Sequence, residues 1–297
     1  MYYLISLFTG TILTIMIVFN GALTDFYGVY FATVIIHIVG MILIAGIVLV
    51  KRENPFKNKQ KWYLYIGGAI GVFITVSNNV SFGRISVSAI LALMLFGQSV
   101  MGIVVDSYGL FGIPKHPFAK YKLIGLSLVL IGIISMISDF EVVAVIFSFF
   151  AGVFIVVSRT IVAKLSDLTS VRIGTFFNYV VGLIVSTIIL LILGRNQIQI
   201  TEFTFSPDWY IYLGGVLGVC AVTLTSITVV KISALYITLL VFVGQVFSGV
   251  LIDVFLAQEV PHGIILGGIL VACGLCIDLL LDKKYASKAS KKDAETV

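Results

Sequence analysis

Ten long apolar runs, separated by short polar breaks, limit what this chain can fold into more than any other feature of its sequence. A helix needs about 20 mainly apolar residues to cross the hydrocarbon core of a bilayer, which is about 30 Å thick. The runs cover residues 3–22, 28–50, 62–82, 86–110, 122–138, 142–163, 171–194, 209–229, 233–256 and 263–281. Hydrophobic residues make up 60% of the chain and charged residues only 11%, a composition far from that of soluble proteins. The sequence therefore predicts an all-α integral membrane protein with ten transmembrane helices.

Lysine and arginine side chains are concentrated in alternate breaks, and this asymmetry predicts the orientation of the chain. Short loops rich in Lys and Arg stay on the cytoplasmic side of a membrane. The only Lys and Arg residues in or next to the breaks after the odd-numbered runs are Arg84 and Arg195. The Lys and Arg residues in or next to the breaks after the even-numbered runs, and in the tail, are Lys51, Arg52, Lys57, Lys59, Lys61, Lys115, Lys120, Lys122, Lys164, Arg172, Lys231, Lys283, Lys284, Lys288, Lys291 and Lys292. Both termini are therefore predicted to be cytoplasmic, with residues 283–297 as a basic tail. Anionic lipid beside this face explains the net charge of +5 without a nucleic-acid partner.

The second half of the chain repeats the first. A shift of 142 residues aligns Asp25 with Asp167, and a shift of 147 aligns "WYLYIGGAIGV" from Trp62 with "WYIYLGGVLGV" from Trp209. The two copies cover residues 1–140 and 141–282. Each copy has five helices, an odd number, so the second copy is predicted to be inverted relative to the first. Inverted-topology repeats are typical of secondary transporters, whose substrate site lies near the membrane midplane between the repeats.

Both copies place a glutamine in the middle of an apolar run. Gln98 lies in "FGQSVMGIVVD" and Gln245 in "VGQVFSGVLID", and each is followed by glycine after four residues and aspartate after eight. Unpaired amides in hydrocarbon are costly, so both glutamines need partners. They either hydrogen-bond neighbouring helices or face a central polar cavity and contact a solute. In the second case we expect both to lie near the pseudo-twofold axis, in a cavity shared with helices 1, 3, 6 and 8.

Other polar residues within the runs are further candidates. His37 in the second run aligns with Tyr179 in the seventh, next to Asn178. Each of these three side chains is either a structural hydrogen-bonding group or part of a solute site. Arg159 lies about one turn inside the cytoplasmic end of the sixth run. Its side chain either extends to the membrane surface or pairs with a carboxylate or an anionic solute.

Two pairs of charges at the ends of the runs are equivalent under the repeat. Asp106 and Lys231 are predicted at the cytoplasmic face, and Asp253 and Arg84 at the outer face. As ion pairs they would close opposite ends of one pathway, and in a single structure one pair should be in contact while the other is apart. The alternative is that each charge is simply solvated at an interface.

The sequence resembles the drug/metabolite transporter superfamily, and within it the YdcZ-like family. The residues that carry the resemblance are "NGAL" at 20–23 and "GQSVMGIVVDSYGLFG" at 97–112, and the similarity extends over essentially the whole chain. It implies a small-solute carrier of the bacterial inner or plasma membrane, with no fixed substrate class. The second copy departs from the motif after Asp253. The chain is also distantly similar to four-helix multidrug exporters, but the acidic residue that those carry deep in helix 1 has no counterpart in the first run.

Together these features predict a secondary transporter that moves a small organic solute by alternating access, with that solute and the lipid bilayer as its partners. Facilitated diffusion and proton-coupled export both stay open, as do a monomer and a homodimer. The alternative from another class is a membrane-embedded enzyme that acts on lipid, yet the sequence has no metal-ligand cluster, catalytic triad or phosphate-binding loop. A channel would need a continuous polar stripe or a filter-like loop, and neither is found. We therefore predict no enzyme activity, no catalytic residue, no metal and no cofactor.

Overall fold

The computed structural model describes residues 1–110, 122–136, 141–195, 204–229, 234–257, 265–274, 276–277 and 280–281. Ten helices account for most of these residues: α1 (Tyr2–Tyr27), α2 (Val29–Val50), α3 (Gly67–Ser81), α4 (Val87–Tyr108), α5 (Lys122–Met136), α6 (Val142–Leu168), α7 (Val171–Leu193), α8 (Gly214–Val229), α9 (Ala234–Ala257) and α10 (Ile265–Gly274). The described residues form no β-sheet. The boundary between the predicted halves, at residue 140, falls outside the described residues.

Six helical segments within the described ranges are long and apolar enough to cross a membrane. They are α1, α2, most of α4, α6, α7 and the segment Trp62–Ser81, in which a 3-10 turn leads into α3. Shorter apolar stretches lie in α5, α8, α9 and α10. Large apolar side chains such as Leu49 and Phe247 point outward, as a lipid-facing surface requires. These features are those of a membrane protein, and the crossing of the bilayer by all ten helices stays a prediction.

Both α1 and α6 are longer than the apolar runs that predicted them. α1 continues to Tyr27 and α6 to Leu168, five residues past the end of each run. The added residues include Asp25 in α1 and Asp167 in α6, so polar residues that the pattern assigned to breaks belong to helices. α1 therefore carries an acidic residue in its last turn, although the first apolar run has none. Gly28 alone separates α1 from α2, and its φ of 78° is a conformation that suits glycine.

Close contacts between helices recur at positions related by the sequence repeat. A Cβ atom on Gly10 of α1 would overlap the carbonyl of Val241 in α9, and one on Gly152 of α6 would overlap the carbonyl of Met94 in α4. Shifts of 142 and 147 residues convert the first contact into the second. The same two shifts relate Gly97 against Phe149 to Gly244 against Leu7. A shift of 142 alone relates Gly132 against Gly267 to Gly274 against Gly125. Glycines at these positions let the helix backbones approach closely.

The first half of α4 lies in the centre of the bundle. Every residue from Val87 to Leu95 is buried, and α4 packs against α5, α6 and α9 while α9 packs against α1. A helix that is apolar on all sides needs such complete enclosure. The helices α4 and α9 thus lie behind α6 and α1, and this leaves α1, α2, α3, α6, α7 and α8 to surround the interior space described next.

Candidate solute-binding site

A cavity of about 280 Å³ lies between α1, α2, α3, α6, α7 and α8. Three of these helices come from each predicted half, and they occupy equivalent places in the two copies. Its walls combine apolar side chains such as Leu13, Ile74 and Ile155 with polar groups. The polar lining consists of Asn20, His37, Thr75, Ser158, Arg159, Ser166, Asp167, Asn178, Tyr179 and Thr225. The volume is close to the lower limit, about 300 Å³, of pockets that hold small ligands.

The cavity extends much further along α6 than along α1. The lining residues of α6 run from Ile155 to Asp167, whereas those of α1 stop at Asn20. Thr24 and Asp25, the repeat equivalents of Ser166 and Asp167, do not line it. Asp167 is exposed, and Val171 at the start of α7 is also part of the wall. The cavity therefore reaches toward the end of the bundle where α6 ends and α7 begins.

Two tyrosines meet at the opposite end of the bundle, where α1 ends and before α8 begins. The hydroxyl oxygens of Tyr27 and Tyr212 are 2.5 Å apart, and the Tyr212 hydroxyl accepts a hydrogen bond of 2.9 Å from the Ser206 amide. Tyr27 also donates to the carbonyl of Thr204 at 3.0 Å. Beneath this layer is a buried apolar cluster of Leu23, Ala32, Ile36 and Ile211. Sequence reasoning missed the pair, since nothing in the pattern of apolar runs distinguishes these tyrosines from other interfacial aromatic residues.

His37 and Tyr179 meet beside the cavity, where α2 packs against α7. Their ring centroids are 6.0 Å apart, and both residues are buried. Nδ1 of His37 lies 2.8 Å from the carbonyl oxygen of Thr33, and because a carbonyl only accepts, Nδ1 carries the proton. In a neutral ring of this tautomer, Nε2 is an acceptor. The Tyr179 hydroxyl donates to the carbonyl of Gly215 at 3.3 Å, so part of its hydrogen-bonding capacity is structural.

Arg159 lies deeper than the sequence predicted. α6 continues for nine residues after it, to Leu168, which is about two and a half turns. The prediction that it lies about one turn from the helix end was wrong, because the helix is longer than the apolar run. Its side chain is exposed to the cavity that it lines. Among the residues that the structure describes, the guanidinium makes no ion pair and no hydrogen bond.

Gln98 and Gln245 are not among the residues that line this cavity. Gln245 is 4% exposed, and its backbone carbonyl accepts a hydrogen bond of 3.3 Å from Thr14 in α1. Gln98 is half-buried on α4, next to Gly97, which packs closely on Phe149 of α6. The expectation that both glutamines share a cavity with helices 1, 3, 6 and 8 does not hold for this cavity. The physical reason is that α4 and α9 pack behind α6 and α1.

Asp253 binds the beginning of α4 rather than an arginine. Its Oδ1 accepts from the amide of Val87 at 2.9 Å, and its Oδ2 accepts from the amide of Ser88 at 2.8 Å. A carboxylate here satisfies amides that have no partner within the helix and lies at the positive end of the helix dipole. Arg84 is exposed and forms no ion pair with Asp253. The other predicted pair, Asp106 with Lys231, involves side chains outside the described residues.

An ion pair between the two halves lies at the end of the bundle that the cavity reaches. Glu53, in the segment after α2, accepts hydrogen bonds from Arg172 of α7 and, at 2.7 Å, from the hydroxyl of Ser170. The bond from Arg172 holds the pKa of Glu53 below its ordinary value. In the sequence, Arg172 is recognisable only as a positive charge, because no spacing rule links it to Glu53. Within the described ranges, no group of three or more His, Cys, Asp and Glu residues could hold a metal ion.

Comparison with known proteins adds a family and a fold. A family model described as "Putative inner membrane exporter, YdcZ" matches residues 1–135 and, separately, residues 143–277. A solved crystal structure is similar over 96% of this chain and 98% of its own, with a TM-score of 0.65 and 14% sequence identity. At that identity the similarity shows a shared fold and nothing about activity. No curated protein matches the sequence.

Proposed function

We propose that this chain, which belongs to the family described as "Putative inner membrane exporter, YdcZ", moves a small organic solute across the membrane by alternating access. The resemblance drawn from the sequence motifs is confirmed at the level of the family. Family membership indicates a membrane transporter, and the solute and the mechanism are our proposal. In this proposal the protein is not an enzyme, and it resides in a bacterial inner or plasma membrane.

The observation that carries the proposal is the cavity between α1, α2, α3, α6, α7 and α8. Secondary transporters bind their solute near the bilayer midplane between two structural repeats. This cavity lies between the two halves, and its polar lining includes mid-helix residues such as His37, Arg159 and Tyr179. A site of this kind can hold a small solute without any chemistry being performed on it.

Two structural features support alternating access between inverted repeats. The paired glycine contacts follow the repeat shifts, so the two halves use equivalent surfaces against each other. The cavity nevertheless reaches toward one end only, while Tyr27 and Tyr212 close the other. Exchange of the two halves' conformations would open the closed end and close the open one, which is how inverted repeats alternate access.

Charged residues at the two ends provide candidate gates. Glu53 with Arg172 is paired in this structure, whereas Arg84 and Asp253 are not paired. The gating pairs Asp106 with Lys231 and Arg84 with Asp253 stay predictions. If they act in opposite conformations, Arg84→Ala and Lys231→Ala should shift the labelling of a cavity cysteine in opposite directions, and shifts of the same sign would exclude this gating role.

Transport by purified protein in proteoliposomes tests the proposal. Solutes that raise the melting temperature of the detergent-solubilised protein are selected first, and their uptake is then measured with and without a pH gradient. We expect saturable uptake that Val222→Trp abolishes, because Val222 lines the cavity. The matched control is Val243→Trp on the outward-facing side of α9, where the side chain is 37% exposed. Absence of uptake for every stabilising solute, or full uptake by Val222→Trp, would contradict the proposal.

A further inference from the structure

Arg159 is a cation on the wall of the cavity, and no residue that the structure describes pairs with it. Its side chain faces the cavity, and among the described residues it has no carboxylate within ion-pair distance. Asp167, the acidic residue that also lines the cavity, is eight residues further along α6, which places it about 12 Å away along the helix axis. Glu53 is already paired with Arg172. The described part of the protein therefore does not neutralise Arg159.

A charged side chain inside a membrane is costly, and such residues pair with another group or mark the path of a substrate. Arginine stays protonated at every pH that a cell reaches. Its planar guanidinium matches the oxygens of a carboxylate, sulfonate or phosphate through two parallel hydrogen bonds. Because no group in the described ranges fills this role at Arg159, the group that does so is expected to come from the solute.

Resting on the proposed transport function, we propose that the solute is a small organic anion whose oxyanion group binds the guanidinium of Arg159. The amide of Asn178 lies on the same cavity wall and offers a further donor. Leu13, Ile74 and Ile155 provide apolar surface for the rest of the molecule. The volume of about 280 Å³ admits one small molecule of this kind. Asp167 is exposed at the mouth of the cavity, where salt screens its repulsion over about 8 to 10 Å.

Matched probes separate charge from shape. The panel consists of aliphatic and aromatic carboxylates, sulfonates and phosphate esters, each with its neutral amide or alcohol and its amine of the same carbon skeleton, for example benzoate, benzamide and benzylamine. Binding is measured by thermal shift and by calorimetry on the full-length protein in detergent. We expect that anions bind and that their neutral and cationic counterparts bind at least tenfold more weakly.

Variants of Arg159 assign the effect to this residue. Arg159→Gln should weaken binding of the anion at least tenfold. It should also leave little difference in affinity between an anion such as benzoate and its neutral counterpart, such as benzamide. Arg159→Lys keeps the charge but not the planar fork, so it should recover binding only in part. Arg195→Gln removes an exposed arginine outside the cavity and should bind as the wild type does. Because the melting temperature of each ligand-free variant is recorded first, loss of folding is distinguished from loss of binding.

Each outcome decides for or against the inference. Binding that is confined to neutral or cationic members, binding of anions that Arg159→Gln leaves intact, or a panel in which no anion binds would overturn it. Failure of the proposed function looks different. If anions bind through Arg159 but none crosses the membrane of proteoliposomes, the transport proposal fails and the anion site stands. If a neutral or cationic solute is transported equally by the wild type and by Arg159→Gln, the transport proposal stands and the anion site fails.

Discussion

The rings of His37 and Tyr179 lie with their centroids 6.0 Å apart, at positions that the repeat shift of 142 residues makes equivalent. Each ring also packs on a glycine of the other helix: Tyr179 contacts Gly40, and His37 contacts Gly182. These two glycines are equivalent under the same shift. The contact between α2 and α7 is thus nearly symmetric about the point where the two halves meet. His37 and Tyr179 both line the cavity, so this packing forms part of its wall.

Alanine substitutions at the two glycines test this packing. A methyl group on Gly40 would meet the Tyr179 ring, and one on Gly182 would meet the His37 ring. We expect each variant to lose about 1 to 3 kcal/mol of stability through overpacking. Gly46 is the matched control on α2, since a Cβ there meets nothing within 4 Å, and Gly46→Ala should be neutral or gain up to about 1 kcal/mol. Thermal unfolding in detergent measures all three, and an equal loss at Gly46 would contradict the assignment.

Removal of the Asp253 carboxylate should destabilise the start of α4. Asp253→Ala leaves the amides of Val87 and Ser88 without their acceptor, and loss of such a cap costs about 0.5 to 2 kcal/mol. Arg84→Ala should change stability by less than about 0.5 kcal/mol, because the side chain is exposed and unpaired with Asp253. Urea or thermal unfolding compares the two variants. Equal losses would mean that Arg84 and Asp253 act as a pair after all.

The Glu53–Arg172 pair predicts a dependence of stability on pH. Hydrogen bonding from Arg172 lowers the folded-state pKa of Glu53 below its ordinary value of 4.5. A lowered pKa contributes stability that is fully present above the unfolded-state pKa and is lost as the pH falls through the folded-state pKa. Glu53→Gln should therefore cost about 0 to 1 kcal/mol at pH 7, since the pair is partly exposed. The difference from wild type should shrink below about pH 4.5.

Arg172→Gln provides the control for this prediction. It should show the same loss at pH 7, and the double variant should lose little more than either single variant, because both substitutions break one interaction. A stability difference that grows as the pH falls below 4.5 would show that the pKa of Glu53 is raised rather than lowered in the folded protein.

Cysteine labelling tests the orientation predicted from the basic breaks. In a background without Cys220, Cys273 and Cys276, we expect Lys57→Cys, in the segment between α2 and α3, to react with an impermeant thiol reagent only after cells are permeabilised. Lys120→Cys should behave in the same way. Phe205→Cys, on the segment before α8 and 77% exposed, should react in intact cells. Labelling of Lys57→Cys in intact cells would reverse the topology.

The helices could be predicted from the sequence because they depend on local and periodic features, whereas the contact between His37 and Tyr179 was not predicted. Apolar runs identify membrane helices directly, and the alignment by 142 residues gives these two side chains equivalent positions in α2 and α7. Helix ends were harder to predict. The last turns of α6 contain Ser166 and Asp167, and polar residues at the end of a long helix have the composition of a loop, so the depth of Arg159 was underestimated.

The site itself was predicted only in part, because the lining of a cavity depends on which helices pack behind others. Gln98 and Gln245 lie at the midpoints of their runs, yet α4 and α9 stand behind α6 and α1 and keep both residues off the walls of this cavity. Nothing in the spacing of a single helix encodes that arrangement. The tyrosine pair of Tyr27 and Tyr212 and the capping role of Asp253 are likewise contacts between residues more than 160 positions apart.

Crosslinking of the closed end tests alternating access most directly. Tyr27→Cys and Tyr212→Cys are combined with Ala163→Cys on the cavity wall of α6, in the cysteine-free background, and a bifunctional thiol reagent joins the first two before proteoliposome assays. If access alternates, the crosslinked protein no longer transports, and cleavage of the crosslink restores transport. In the crosslinked protein, Ala163→Cys still reacts from the face near the end of α6 but not from the opposite face. Transport at the wild-type rate with the crosslink in place, or labelling of Ala163→Cys from the Tyr27 face, would contradict it.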